Sequence, residues 1–275
     1  MASKLIEKAE WLYKNGMNEL ALTLSNNILK LNPKNIEALE QRAKIYINLD
    51  FYRSAIEDFT TILTLESESM VRLNRGDCYY KLGQLKAALD DFSDYIEKNP
   101  TDPIGYLKRG LIHSEIELEK EALNDFNQAI EQGQDENNQE TIVVYQAKLA
   151  RAVIYEKQKK YIHALSDLDE AFDSAKFFME LFPTSTHVVE LILFRVRLLR
   201  KLGDYENALN VINELFVQFL LDSDNDMHLW QNIQKERRLV LSKLGYESCV
   251  IDHSYLSSPL KEFLSTSHSS NAMYN

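Results

Sequence analysis

Asn74–Pro100 reads NRGDCYYKLGQLKAALDDFSDYIEKNP, and five other stretches of the 275-residue chain repeat its skeleton. The skeleton is an Arg followed by a small residue, an aromatic three on, a turn residue four beyond, an Ala five later, then Asp-Phe. Aligned on that Ala, the copies fall at Ala21, Ala55, Ala88, Ala122, Ala164 and Ala208, with spacings of 34, 33, 34, 42 and 44 residues. Thirteen residues before each Ala stands Lys8 in the first copy and Arg42, Arg75, Arg109, Arg151 and Arg195 in the others. A fixed period of this size marks a repeat architecture.

Each copy opens with apolar residues at helical spacing, such as Leu39, Ala43 and Tyr46, and then breaks at Gly16, Asp50, Gly83 or Gly203. These are residues that can leave a helix in the left-handed conformation. A second helical stretch follows, such as Ala55, Phe59 and Ile62, and ends near Asn32-Pro33, Asn99-Pro100 or Pro183, because proline cannot continue a helix. The unit is a helical hairpin.

Composition sets the remaining bounds. Apolar residues make up 45% of the chain, enough for a substantial core, while five Pro and eight Gly leave little punctuation for an all-β fold. A net charge of −11 repels phosphate backbones and acidic membranes, so no nucleic-acid partner and no membrane insertion are expected. Two cysteines, Cys78 and Cys249, cannot form a disulfide framework. Charges interrupt the N-terminal stretch where a signal peptide would be apolar, and the expected location is the cytoplasm, with the nucleus as the other possibility.

The hairpin features resemble the tetratricopeptide repeat, in which a small residue of helix A packs against an Ala of helix B. The resemblance implies an all-α, right-handed superhelical solenoid with units 2–35, 36–68, 69–102, 103–136, 145–178 and 189–222. The small positions of helix A are then Ala9, Ala43, Gly76, Gly110 and Ala152, with Val196 in the sixth unit implying a wider crossing there. Arg72 and Lys148 replace bulky apolar residues and predict looser packing in units three and five. Insertions at 137–144 and 179–188 separate the later units; the first reads as a polar loop and the second as an extension of helix B toward Phe182.

A hairpin of this size cannot bury its own apolar face, so units must stack and the ends need covers. His228–Leu244 predicts a capping helix, with Leu229, Trp230, Ile233, Leu239, Val240 and Leu241 on its apolar side and Asp226 as N-cap. Arg237, Gly245 and Val250 keep the repeat spacing, so residues 223–256 read as a cap or a degenerate seventh unit. The Ser-rich 257–275, with Ser258-Pro259 as a candidate phosphorylation site, reads as a disordered tail.

The repeated Arg resembles a ladder for anions. However, Asp58, Asp91, Asp125 and Asp167 follow Arg42, Arg75, Arg109 and Arg151 by sixteen residues, which predicts an ion pair inside each hairpin. Unit six has Val211 instead, so Arg195 is the one expected to be available. His113 occupies the place held by Tyr46, Tyr79 and Tyr155 and reads as a packing residue. No histidines pair at metal-ligand spacing, and Asp222, Asp224 and Asp226 imitate a calcium loop only until Met227 and Ile233 break the pattern. No nucleophile motif or glycine-rich phosphate loop is present, so a non-enzymatic protein without cofactor or metal is expected.

The family resemblance implies that helix A residues line a concave groove that grips a protein or peptide partner. Carried over by position, the groove holds Met70, Leu73, Asn74, Asp77, Tyr80 and Lys81 from unit three. Ile104, Leu107, Lys108 and Leu111 follow from unit four, then Leu149 and Val153, and a basic end of Arg197, Arg200, Lys201 and Lys235. The alternative is that the Leu positions stack neighbouring repeats and the basic ones are solvated. A carboxylate clamp of the kind some relatives use on chaperone C-termini is incomplete: Asn74 matches, Lys108 is a conservative change, and Glu40 reverses a required charge. The expected role is an adaptor or scaffold. The alternatives are a co-chaperone-like adaptor with that incomplete clamp, or a structural subunit of a larger complex.

Overall fold

The computed structural model describes residues 2–66, 69–134, 142–181, 185–221 and 226–246. Among them the regular elements are helices, in the order α1 (Ala2–Lys14), α2 (Asn18–Leu31), α3 (Ile36–Asn48), α4 (Tyr52–Leu65), α5 (Ser69–Lys81) and α6 (Leu85–Lys98). These continue as α7 (Pro103–Glu115), α8 (Glu119–Gln132), α9 (Ile142–Lys157), α10 (Tyr161–Leu181), α11 (Thr186–Leu202), α12 (Tyr205–Leu221) and α13 (Met227–Lys243). The chain forms two compact units, residues 1–176 and 177–275. In the first, each hairpin packs its second helix on the first helix of the next, α2 on α3, α4 on α5, α6 on α7 and α8 on α9. In the second, α12 packs on both α11 and α13.

Each hairpin turns at one left-handed residue. Gly16, Asp50, Gly83 and Gly203 all have positive φ, as expected, and so do Glu117, Lys159 and Gly245 at the same place in their units. The next residue returns its N–H to the carbonyl five positions back, as in Gln84 to Tyr79 at 2.9 Å and Leu118 to His113 at 2.8 Å. That bond closes the helix end. Short Asn and Asp side chains cap helix starts: Asn35 accepts from Ala38 N–H at 2.8 Å, Asp102 from Ile104 N–H at 3.0 Å, and Asp226 from His228 N–H at 2.8 Å.

The core follows the repeat. Ala21, Ala55, Ala88, Ala122, Ala164 and Ala208 are all fully buried. Facing positions exchange bulk: a Cβ on Gly76 would lie 2.6 Å from the Phe92 ring, and one on Gly110 2.8 Å from Phe126. At the same register the pairs are Ala43 with Phe59, Ala152 with Leu168 and Val196 with Ile212, all buried. Val196 thus comes with a smaller counterpart than phenylalanine.

Three expectations change. Lys148 is only 3% exposed, with Nζ 2.8 Å from Glu170, so a buried, ion-paired lysine replaces the expected loose packing; Arg72 likewise pairs with Asp94 at 3.2 Å. The insertion expected as a loop over 137–144 ends inside α9, whose Val144 is fully buried. Leu239 is 38% exposed and leaves the apolar side of α13, whereas Leu229, Ile233, Val240 and Leu241 are buried and Trp230 stacks on Phe216 at 4.8 Å. Phe182, Pro183, Asp222, Asp224, Val250 and the tail 257–275 lie outside the described residues.

Candidate binding surface

The arginine ladder belongs to the framework. Arg42, Arg75, Arg109 and Arg151 each donate from Nε and Nη2 to Asp58, Asp91, Asp125 and Asp167, with Nη2 distances of 2.6–2.7 Å. The carboxylates are 1–4% exposed, and for Arg75 the hydrogen bond to Asp91 raises the guanidinium above its ordinary range. The fork also reaches outward: Nη1 donates to Asn26, Thr60, Ser93 and Asn127 on the preceding hairpin. Arg237 repeats this with Nε 2.8 Å from Asn213. Tyr46, Tyr79 and Tyr155 lie under their arginines at 5.6–5.9 Å, while His113, in the same place, brings Nδ1 to 2.9 Å from Asp125. Arg195 is half-buried and engaged by neighbouring groups, so the expectation that it is available is not met.

What remains is the face of α5, α7 and α9 that these residues leave open. Leu73 and Leu107 are 6% and 2% exposed and sit in the core, because their side of the helix meets the neighbouring hairpin; neither offers the surface expected of a groove contact. Met70, Tyr80, Leu111 and Val153 are exposed instead, at 52%, 37%, 44% and 43%. Leu111 and Val153 each stand two residues after the framework Arg of their helix, and α7 packs on α9. They therefore form one apolar row.

Polar groups border that row. Asp77 occupies the same place on α5, and Lys108 on α7 donates to both its oxygens at 2.8 and 3.0 Å. Tyr80 donates its hydroxyl to Glu115 at 2.8 Å, which holds the phenol above its ordinary pKa. Asn74 is half-buried and Lys81 exposed. With Lys108 committed to Asp77, the clamp expectation loses its conservative match. Glu115 was not singled out in the sequence, because it pairs with Tyr80 thirty-five residues away.

In the second unit, Arg197, Arg200 and Lys201 lie on α11. Arg197 covers the Phe194 ring at 5.4 Å, Arg200 Nη2 is 3.4 Å from Glu236 Oε2, and Lys201 is exposed and engaged by a neighbouring group. A cleft of about 480 Å3 between α11 and α13 is lined by Glu190, Leu193, Arg197, Asn232, Lys235 and Glu236. The expected basic end is thus of mixed charge, because Glu190 and Glu236 enter the same cleft. Among the described residues no group of His, Cys, Asp and Glu is placed to hold a metal, and no helix is long and apolar enough to cross a membrane.

A family model described as "Tetratricopeptide repeat" matches residues 40–103. Human "Tetratricopeptide repeat protein 13" is 32% identical over 117 residues, covering 42% of this chain and 14% of that protein. "DnaJ homolog subfamily C member 3" of Gallus gallus is 24% identical over 252 residues, covering 87% of this chain and 47% of that protein. The chain therefore spans less than half the length of either relative. The crystal structure of a tetratricopeptide repeat protein from Parabacteroides merdae superposes with a TM-score of 0.61 at 18% identity, over 97% of this chain and 98% of that one.

Proposed function

Since the chain is a tetratricopeptide repeat protein, we propose that it is a non-enzymatic adaptor that holds a peptide segment of a partner protein against α5, α7 and α9. The observation that carries this reading is the exposed row of Leu111 and Val153 at one register on adjacent helices. Large side chains exposed in line on a rigid scaffold are a stronger interface signal than the same residues scattered singly. Met70 and Tyr80 are further large side chains exposed on α5.

Rigidity supports the same reading. Each helix of the face is fixed by a bidentate Arg–Asp pair beneath it, and the Lys108–Asp77 and Tyr80–Glu115 contacts tie α7 to α5 on the surface itself. A partner then meets a surface already ordered, and binding costs less entropy than on a mobile one. The contact would be apolar at Leu111 and Val153, with the Asp77–Lys108 pair at its rim setting register.

The test uses peptides selected by display on the full chain. Binding is then measured for wild type and for Leu111→Ser/Val153→Ser, with melting curves confirming that the variant is folded. The reading expects affinity to fall by about tenfold or more, as two apolar contacts are lost. Equal affinity would place the peptide elsewhere.

A further inference from the structure

Between α1 and α3 lies a cleft of about 530 Å3 lined by Glu7, Glu10, Glu37 and Glu40 and by Lys14 and Lys44, the last 3.9 Å from Glu40. Gln41 forms part of its wall. It is 7% exposed, and neither its Oε1 nor its Nε2 has a hydrogen-bond partner. An amide left unpaired at that depth costs stability, and buried polar groups without partners call for an explanation.

The repeat supplies one. Gln41 stands immediately before Arg42 as Lys108 stands before Arg109, and Glu10 stands two residues after Lys8 as Asp77 stands two after Arg75. Between α5 and α7 these two positions close on each other, the Lys108 ammonium bonding Asp77 at 2.8 Å. Between α1 and α3 the carboxylate is present, and the Gln41 amide stands at the position of the lysine. Glu10 is paired instead with Lys14 one turn along its own helix at 2.7 Å, an ion pair with both side chains more than half exposed. Such a pair holds its partner weakly.

We propose that the α1–α3 cleft takes a lysine or arginine side chain from a basic segment of a partner protein, its cation standing between Glu10 and Gln41 where Lys108 stands in the later repeat. Glu10 accepts from the incoming cation and the Gln41 carbonyl oxygen accepts a second bond. Glu7, Glu37 and Glu40 give the cleft the negative field that draws a basic segment in. This extends the peptide-binding reading to a second, oppositely dressed stretch of the protein, and it rests on residues that the Leu111 and Val153 row does not include.

The experiment measures fluorescence anisotropy of a short labelled peptide of alternating Lys and Ser, with its Glu–Ser counterpart, against the full chain at low salt. Gln41→Lys installs the missing cation and is expected to close the site, keeping the fold and weakening the Lys–Ser peptide by about tenfold, the worth of one or two hydrogen bonds to a charged group. Glu121→Gln on α8, an equal change in net charge on an exposed residue, is expected to bind like wild type. Leu111→Ser/Val153→Ser should also bind the Lys–Ser peptide like wild type, so a failure of that pair to affect display-selected peptides bears on the apolar row alone. The proposal is overturned if wild type does not prefer the Lys–Ser peptide, or if Gln41→Lys and Glu121→Gln bind it equally well. The first result would leave no attraction to explain, and the second would reduce it to the charge of the whole chain.

Discussion

Arg75 clasps Asp91 through two parallel hydrogen bonds of 2.8 and 2.7 Å while its third nitrogen reaches Thr60 on the preceding hairpin at 3.1 Å. One side chain therefore joins helix A to helix B and one repeat to the next. Arg75→Met leaves Asp91, which is 3% exposed, without its counter-charge and is expected to cost ~3 kcal/mol in urea unfolding. Arg75→Met/Asp91→Leu should recover most of that, since the loss comes from stranding a charge.

Gly76 sits where a Cβ would come within 2.6 Å of the Phe92 ring, and Phe92 is itself 1% exposed with little room to yield. Gly76→Ala is expected to destabilise by about 2 kcal/mol through overpacking, despite the better helix propensity of alanine. Adding Phe92→Leu reproduces the Ala152 and Leu168 combination found in the fifth hairpin. It should reverse the loss in the same unfolding measurement.

Glu117 and Lys159 occupy turn positions with φ of 63° and 59°, where Gly83 stands at 71°. Glu117→Gly is expected to stabilise by about 1 kcal/mol by relieving the left-handed strain of a residue with a Cβ. Gly83→Ala should lose a similar amount even though nothing lies within 4 Å of the added carbon, because the cost is in the backbone. Thermal melts of the two variants should shift in opposite directions.

Cys78 is 1% exposed, and burial pushes its thiol up to about 12. The unfolded chain releases that proton at lower pH than the folded one. The stability Cys78 contributes is complete below the ordinary thiol pKa and is lost as pH rises toward about 12. Urea midpoints followed through that range should fall more steeply for wild type than for Cys78→Ala. Parallel profiles would contradict the burial assigned to this thiol.

Much of the fold was legible because the repeat reports the same contact many times. The Arg–Asp spacing of sixteen, the buried Ala series and the turns at Gly16, Asp50, Gly83 and Gly203 all follow from it. Glu117 and Lys159 turn the chain at the same place but carry side chains that suit helices, so composition hid what spacing could have revealed. The polar residue that each Arg reaches on the preceding helix also has a regular signal, five after the Ala, in Asn26, Thr60, Ser93, Asn127 and Asn213.

The surface was less legible. Helical spacing groups Leu107 with Leu111 on α7, yet the neighbouring hairpin buries the first and leaves the second open. Glu236 lies thirty-six residues after Arg200 and enters its surroundings only through packing of α11 and α13. Whether a cation is available depends on such neighbours, and no single repeat contains them. The unpaired Gln41 was hidden for the same reason, since its meaning lies in the contrast with Lys108.

Affinity purification of the full chain, compared with Leu111→Ser/Val153→Ser and with Glu121→Gln on an exposed residue of α8 as control, tests the adaptor reading most directly. The account predicts a set of captured proteins shared by wild type and control and depleted in the double variant, with all three chains melting alike. An identical set from all three would contradict it and move the interface off the face of α5, α7 and α9.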